Sequence, residues 1–293
     1  MIVPKKMLCV FAHPDDESLG MGGAIARYAA EGVEIHLVCA TRGEKGRFGD
    51  AVEKPAPDLV GRTREIELWN AARTLGIRSV TFLNYTDGVL DRAEPRQAIR
   101  RIVHEIRRRR PDVVVTFAPD GAYGHPDHIA ISQFTTAAVT AAADPSYSWD
   151  EKWTMNGSAH RVSKLYYLAW GKEKWDAYQA ALKRLVSKVD GVERQANPWP
   201  EWAITTRVDA APYWRRAWEA ICCHRTQMSV YRELEKLPLS VHEQLWGRQE
   251  FYRAFSLVNG GRQVETDLFE GLRDTSTKLR NTVGEPREAL ACA

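Results

Sequence analysis

The 293-residue sequence predicts an α/β fold: a Rossmann-like, doubly wound, mostly parallel sheet with helices on both faces and a smaller C-terminal lobe. Three observations carry this reading. Short apolar runs alternate with helical patterns through the first half of the chain, which implies β-α units and crossover connections. The first run, Met7–Ala12, is almost continuously apolar, as in a strand buried on both faces. Past about residue 145 the alternation weakens and tryptophan becomes frequent, with most of the ten tryptophans between Trp149 and Trp218.

The elements follow in order. After the first strand, a helix is expected from about Ser18, with Leu19, Met21, Ala24, Ile25 and Tyr28 buried and Gly32 ending it. Val33–Ala40 is a second strand, and Thr41 to about Val60 a Gly-rich, charged loop. A helix from about Arg62 to Leu75 leads through Gly76 to a third strand near Ser79–Asn84. A helix over about Pro95–Arg110 precedes a fourth strand at Asp112–Phe117, and another helix runs from about Pro126 to Ala142. Lys164–Ala169 and Trp202–Val208 are later strand candidates. The division expected is a catalytic core over 1–145, the rest of the sheet with a substrate-side lobe over 146–275, and a polar tail over 276–293.

Composition narrows the function classes. Hydrophobic residues make up 44%, charged residues 27%, and the formal net charge is +3, so nothing demands nucleic acid or a membrane surface as partner. No segment approaches the roughly 20 apolar residues of a membrane span. Neither a signal-peptide pattern nor a C-x-x-C pair is present, which fits a reduced, cytoplasmic protein; a homo-oligomer is left open. The basic run Arg107–Arg110 reads as a solvated helix end, where cations are favourable. Gly20-Met21-Gly22-Gly23 lacks phosphate-loop spacing and reads as close packing of a helix on the sheet.

Two loops carry chemistry. The first strand ends in His13-Pro14-Asp15-Asp16-Glu17, and the fourth leads to Tyr123-Gly124-His125-Pro126-Asp127-His128. Strands 1 and 4 of a doubly wound sheet are commonly neighbours, so both loops border the switch-point crevice where ligands bind. Singly, a His-Pro or an Asp-Asp is ordinarily a turn, and His-x-x-His a helix start. Together they suit a catalytic zinc held by His13, Asp16 and His128 with a position left for water. Asp15 is then the base that accepts the water's proton. A protonated His125 stabilises the oxyanion or protonates the leaving amine, and Asp127 keeps that imidazole oriented and charged.

Ala12-His13-Pro14-Asp15-Asp16-Glu17 followed by Gly20-Met21-Gly22-Gly23, with Gly124-His125-Pro126-Asp127-His128, resembles the LmbE-like (PIG-L) N-deacetylase family. Thr41–Gly46, Arg64, Glu67, Leu75-Gly76, Asp87-Gly88 and Pro111–Val114 extend the likeness. His224-Arg225-Thr226-Gln227 is similar to a family His-x-Ser-Gln segment, with threonine for serine. The resemblance implies a zinc-dependent hydrolase that removes the N-acetyl group from an N-acetylglucosamine-type conjugate, a small-molecule amino sugar. It further implies that Tyr123 helps polarise the carbonyl and that Arg64 and Asp87 contact substrate hydroxyls. Phe117-Ala118-Pro119-Asp120 departs from the polar run that members acting on glucosamine–inositol precursors often carry. A zinc amidase for a larger acyl group or a thiol conjugate is the near alternative; a non-catalytic sugar-binding protein is the distant one. His224 either approaches the site or caps a helix, and one or two C-terminal tryptophans are expected at the crevice mouth.

Overall fold

The computed structural model describes residues 4–147, 158–182, 186–189, 191–195, 197–261 and 263–272. The expectations for Trp149 and for the polar stretch from Asp274 lie outside them. The strands are β1 (Lys6–Phe11), β2 (Glu34–Thr41), β3 (Ser79–Tyr85), β4 (Val113–Thr116), β5 (Lys164–Leu168), β6 (Val186–Val189), β7 (Val192–Gln195), β8 (Thr206–Asp209) and β9 (Arg248–Ser256). The helices are α1 (Asp16–Ala30), α2 (Pro57–Leu75), α3 (Pro95–Arg109), the single turn α4 (Gly121–Gly124), α5 (Pro126–Ala143), α6 (Lys172–Leu182), α7 (Trp214–Cys223), α8 (Met228–Glu235) and α9 (Leu239–Gly247).

Seven strands form one sheet in the order β3-β2-β1-β4-β5-β9-β8. The first five are parallel; β9 and β8 close the edge antiparallel. β1 and β4 pair directly, Met7 against Val113 and Cys9 against Val115, so the loops after them open side by side. Both strands are buried on both faces, which is why they read as unbroken apolar runs. A second apolar cluster, around Ile221, Leu234, Leu245 and Trp246, joins α7, α8 and α9. β6 and β7 pair antiparallel as a separate ribbon.

The structure corrects three expectations. α2 begins at Pro57 rather than near Arg62, because Pro57 occupies the first helical turn, where its missing N–H is no loss. Arg107 is buried: its guanidinium donates to the carbonyls of Ala141, Ala142, Asp144 and Tyr147 at 2.6–3.4 Å. It therefore satisfies the end of α5 instead of facing solvent. The glycines of α1 pack on helices as well as on the sheet. A Cβ at Gly23 would run into the Trp246 carbonyl, one at Gly22 would crowd Ala217, and one at Gly20 would meet Leu168 of β5. Among the described residues, no helix is long and apolar enough to cross a membrane.

Candidate metal centre

The turn between β1 and α1 presents His13, Asp15 and Asp16, and the first turn of α5 presents Asp127 and His128. His13 Nδ1 lies 3.2 Å from His128 Nε2 and 3.7 Å from Asp16 Oδ2, while His128 Nε2 lies 3.4 Å from Asp16 Oδ1. Ligand atoms bound at about 2.0–2.2 Å around a tetrahedral ion stand roughly 3.3–3.6 Å apart, so the three side chains have the spacing of a shared metal. His125 with His13 and His128, and Asp87 and Asp127 with His13, also cluster within 4.8 Å. In the second of these sets both carboxylates already take hydrogen bonds from the protein, Asp87 from the Lys45 amide and Asp127 from the amides of Gly88 and Leu90.

The outward bonds of the two imidazoles set their inward atoms. His13 Nε2 faces Asp87 Oδ1 and Asp127 Oδ2, each at 3.1 Å; His128 Nδ1 faces the Gly121 carbonyl at 3.2 Å. If both rings are neutral and donate to these acceptors, lone pairs on His13 Nδ1 and His128 Nε2 point at each other. A cation between them reconciles the pair, and carboxylates behind the ring are the arrangement that orients a metal-ligating histidine. Asp16 is aimed by the backbone, its Oδ2 accepting from the amides of Ala12 (3.1 Å) and His13 (2.8 Å). Phe117 stacks on the His128 ring at 3.9 Å and fixes its plane.

The protonation tendencies suit a site that binds a cation. Burial, with Asp15 and Glu17 beside it, pushes Asp16 up to about 7 despite His13. Burial opposes a charge on His13, but hydrogen bonds to Asp127 and Asp87 outweigh it and raise that imidazole well above its ordinary value. His128 is held well below the usual histidine value by burial and by His13. A divalent ion would supply the missing charge and change this balance.

Several expected site residues are engaged otherwise than the sequence suggests. Asp127 does not reach the His125 ring. Its carboxylate takes His13 and the amides of Gly88 (2.6 Å) and Leu90 (3.0 Å). His125 Nδ1 instead accepts the Asp127 N–H at 3.2 Å, capping α5. Protonating that nitrogen would set two N–H groups against each other. Burial and then His13 also hold His125 down to about 4, which favours a neutral imidazole, donating from Nε2, over the charged one expected. Asp87, expected on the substrate, gives Oδ1 to His13 and accepts the Lys45 amide on Oδ2 at 2.9 Å. Arg64, 3% exposed, donates to the carbonyls of Gly43 (2.9 Å) and Pro14 and to Asp15 Oδ2 (3.1 Å). Side chains at Gly43 or Gly46 would collide with its guanidinium, so the glycines of the β2 loop make room for an arginine.

Tyr123 borders the cluster, its ring 5.9 Å from that of His125 and 5.3 Å from that of His128. Burial pushes its hydroxyl above the usual phenol value, so it stays a donor. Sequence reasoning missed Tyr231, whose hydroxyl donates to Asp15 Oδ2 at 2.9 Å, and it left His224 undecided. His224 does both things considered for it: it ends α7, and its Nε2 lies 2.9 Å from Glu17 Oε1, with both residues fully buried. The crevice over the cluster, about 560 Å³, is lined by polar residues that include Lys45 and Gln227 and by apolar ones that include Leu19, Trp170, Tyr178 and Val230.

With this geometry in hand, the comparisons are direct. The family model described as PIG-L, GlcNAc-PI de-N-acetylase, matches residues 8–139, which span both loops. A 1D-myo-inositol 2-acetamido-2-deoxy-alpha-D-glucopyranoside deacetylase of Rhodococcus jostii is 36% identical over 252 residues, covering 77% of this chain and 82% of that protein. The chain belongs to the PIG-L (LmbE-like) family. This PIG-L member also resembles solved structures. N,N'-diacetylchitobiose deacetylase from Pyrococcus horikoshii matches with a TM-score of 0.62 at 21% identity, over 85% of this chain and 83% of that one. A 4-carboxy-2-hydroxymuconate hydratase from Pseudomonas putida matches at 0.64 and 22%, over 88% and 99%. These two likenesses show the fold alone. Because one of them is a hydratase, chemistry has to be argued from the site.

Proposed function

We propose that this PIG-L deacetylase removes the acetyl group from an N-acetylglucosamine conjugate with an inositol aglycone, using zinc held by His13, Asp16 and His128. The observation that carries the reading is the pair of imidazole nitrogens 3.2 Å apart, each 3.4–3.7 Å from one oxygen of the Asp16 carboxylate, with the Asp15 carboxylate on the adjoining turn. The aglycone is suggested by the Rhodococcus relative, named for an inositol glucosaminide.

Zinc, when bound, supplies Lewis acidity to the acetamide carbonyl and acidifies water. The protein's part is positional. Asp15 carries Arg64 and Tyr231 on Oδ2, and its Oδ1 takes a proton from the attacking water. As the C–O bond forms, the carbonyl oxygen gathers negative charge, and the His125 Nε2–H and Tyr123 hydroxyl donate to it. Asp15 then returns the proton to the departing nitrogen while the C–N bond breaks, releasing acetate and the free amine. One carboxylate thus serves as base and acid, since a neutral His125 has no proton to spare. Among the lining residues, Trp170 suits the carbon face of a pyranose, and Lys45 and Gln227 suit its hydroxyls. The unpaired thiols of Cys9, Cys39, Cys222 and Cys223 support a reducing, cytoplasmic setting.

The test is acetate release by zinc-reconstituted protein from free N-acetylglucosamine, N,N'-diacetylchitobiose, and inositol and malate glycosides. Fastest release from the inositol glycoside is expected. Release of the acyl group from longer N-acyl versions of the same substrates but no acetate from the acetylated ones would favour the wider amidase, and neither product with one zinc bound per chain would overturn hydrolysis.

A further inference from the structure

The stretch from the end of α7 into α8 converges on Asp15 from two directions. Tyr231 donates its hydroxyl to Asp15 Oδ2 at 2.9 Å, the oxygen that also takes Arg64 at 3.1 Å. Some residues earlier, His224 Nε2 lies 2.9 Å from Glu17 Oε1, and Glu17 Oε2 accepts the Asp15 N–H at 3.1 Å. Between these ends, Thr226 gives its N–H (2.8 Å) and hydroxyl (2.7 Å) to Glu67 of α2. Gln227 donates to the Arg47 carbonyl at 2.8 Å. The stretch is therefore anchored to α1, to α2 and to the loop after β2 at once.

Asp15 needs such a hold. Its backbone sits at φ 111 and ψ −23, a positive-φ conformation that residues with a side chain rarely adopt and that persists only where the surroundings enforce it. Glu17 is buried, and leaving a buried carboxylate without its partner is strongly unfavourable, so the Glu17–His224 contact resists any shift of the Asp15 amide. The side chain is constrained separately. Two donors on one oxygen fix the carboxylate plane and leave Oδ1 with neither of them.

We propose that His224–Tyr231 is the positioning element of the general base, with the Glu17–His224 pair fixing the Asp15 backbone and Tyr231, together with Arg64, fixing its carboxylate. This rests on the reading of Asp15 as the base. Tyr231 acts through Asp15, so its effect depends on Asp15 being present.

The experiment is a double-mutant cycle on the zinc-loaded full chain, using the conjugate on which the wild type releases acetate fastest. Tyr231→Phe is expected to lower kcat about ten- to hundredfold, the scale of a misplaced catalytic group, with KM and bound zinc unchanged. In an Asp15→Asn background the same substitution changes the residual rate by less than about twofold. Equal losses in both backgrounds, or a loss confined to KM, would overturn the proposal. A crystal structure of Tyr231→Phe gives a second readout that needs no turnover. Asp15 turned away or split between rotamers supports positioning, and an unmoved Asp15 overturns it. If the wild type releases no acetate from any conjugate, the functional reading fails while that structure still decides the positioning claim.

Discussion

Two buried polar clusters in this protein are built on opposite principles. At the antiparallel edge of the sheet, Glu265 accepts from Lys164 Nζ (2.6 Å), Tyr166 Oη (2.7 Å), Thr206 Oγ1 (2.8 Å), Arg253 (2.8 Å) and Asn259. Against the penalty of burial, these donors, Lys164 foremost, bring Glu265 down to about 2. At the β1–β4 crevice, burial and neighbouring carboxylates push Asp16 up to about 7, and two imidazole nitrogens face each other at 3.2 Å. Both carboxylates are buried, so burial alone does not separate them. The direction of the shift does: a carboxylate saturated with donors is a finished structural joint, and one pushed up by burial and neighbouring acids, with imidazole nitrogens alongside, suits a bound cation.

The comparison is tested most sharply by removing one group from each cluster. Asp15→Asn is expected to lower turnover about 10²–10⁴-fold, the usual worth of a general base, while zinc content by elemental analysis stays at the wild-type level. Full activity in that variant would remove Asp15 as the base. Glu265→Ala should do the reverse. It strands Lys164 and Arg253 without their carboxylate, so urea unfolding should show a loss of about 3–5 kcal/mol with kcat per folded molecule unchanged. A stability near wild type would show that the edge cluster is not the joint described.

The two clusters also differed in legibility. The β1 and β4 runs, the helix ends at Gly76 and Pro126, and the pairing of two loops at one crevice could be read because buried parallel strands leave unbroken apolar signatures. β9 could not: Arg248-Gln-Glu-Phe-Tyr-Arg-Ala-Phe-Ser256 mixes charge and aromatics and inserts between β5 and β8 out of chain order. With β9 went the Glu265 cluster, whose members come from β5, β8, β9 and the segment beyond. Within the site, residue types were readable and their partnerships were not. Asp127 looked like a partner for His125 because they are near neighbours in sequence. A helix N-terminus turns the Asp127 side chain towards His13 and only its backbone N–H towards His125. Tyr231 and His224 reach the Asp15 turn across more than 200 residues of chain, a distance at which local patterns are silent.

A gentler change probes how far the crevice depends on the acids behind its ligands. Asp127→Asn keeps the shape but weakens the acceptor for His13 Nε2, one of the bonds that turns Nδ1 inward. Zinc affinity, measured by competition with a chelator, should fall about 10–100-fold, and excess zinc should restore most of the turnover. A variant with unchanged affinity would mean that Asp87, also 3.1 Å from Nε2, orients the ring unaided.

The smallest expected effect belongs to the finished cluster and is read in stability against pH. Glu265 titrates near 2 when folded, against an ordinary value of 4.5. Because the folded value is depressed, the unfolded chain takes up the proton first as pH falls. The stabilisation from Glu265 is therefore complete above about 4.5 and is lost progressively as pH drops towards about 2. Urea midpoints measured from pH 6 to pH 3 should fall along this limb in the wild type and fall less in Glu265→Gln, which keeps the shape without the charge. Zinc should leave the difference between the two proteins unchanged at each pH, since none of the Glu265 partners belongs to the metal cluster. A difference that grew or vanished with zinc would mean the two clusters are coupled through β5, the strand next to β4, and the separation drawn between them would fail.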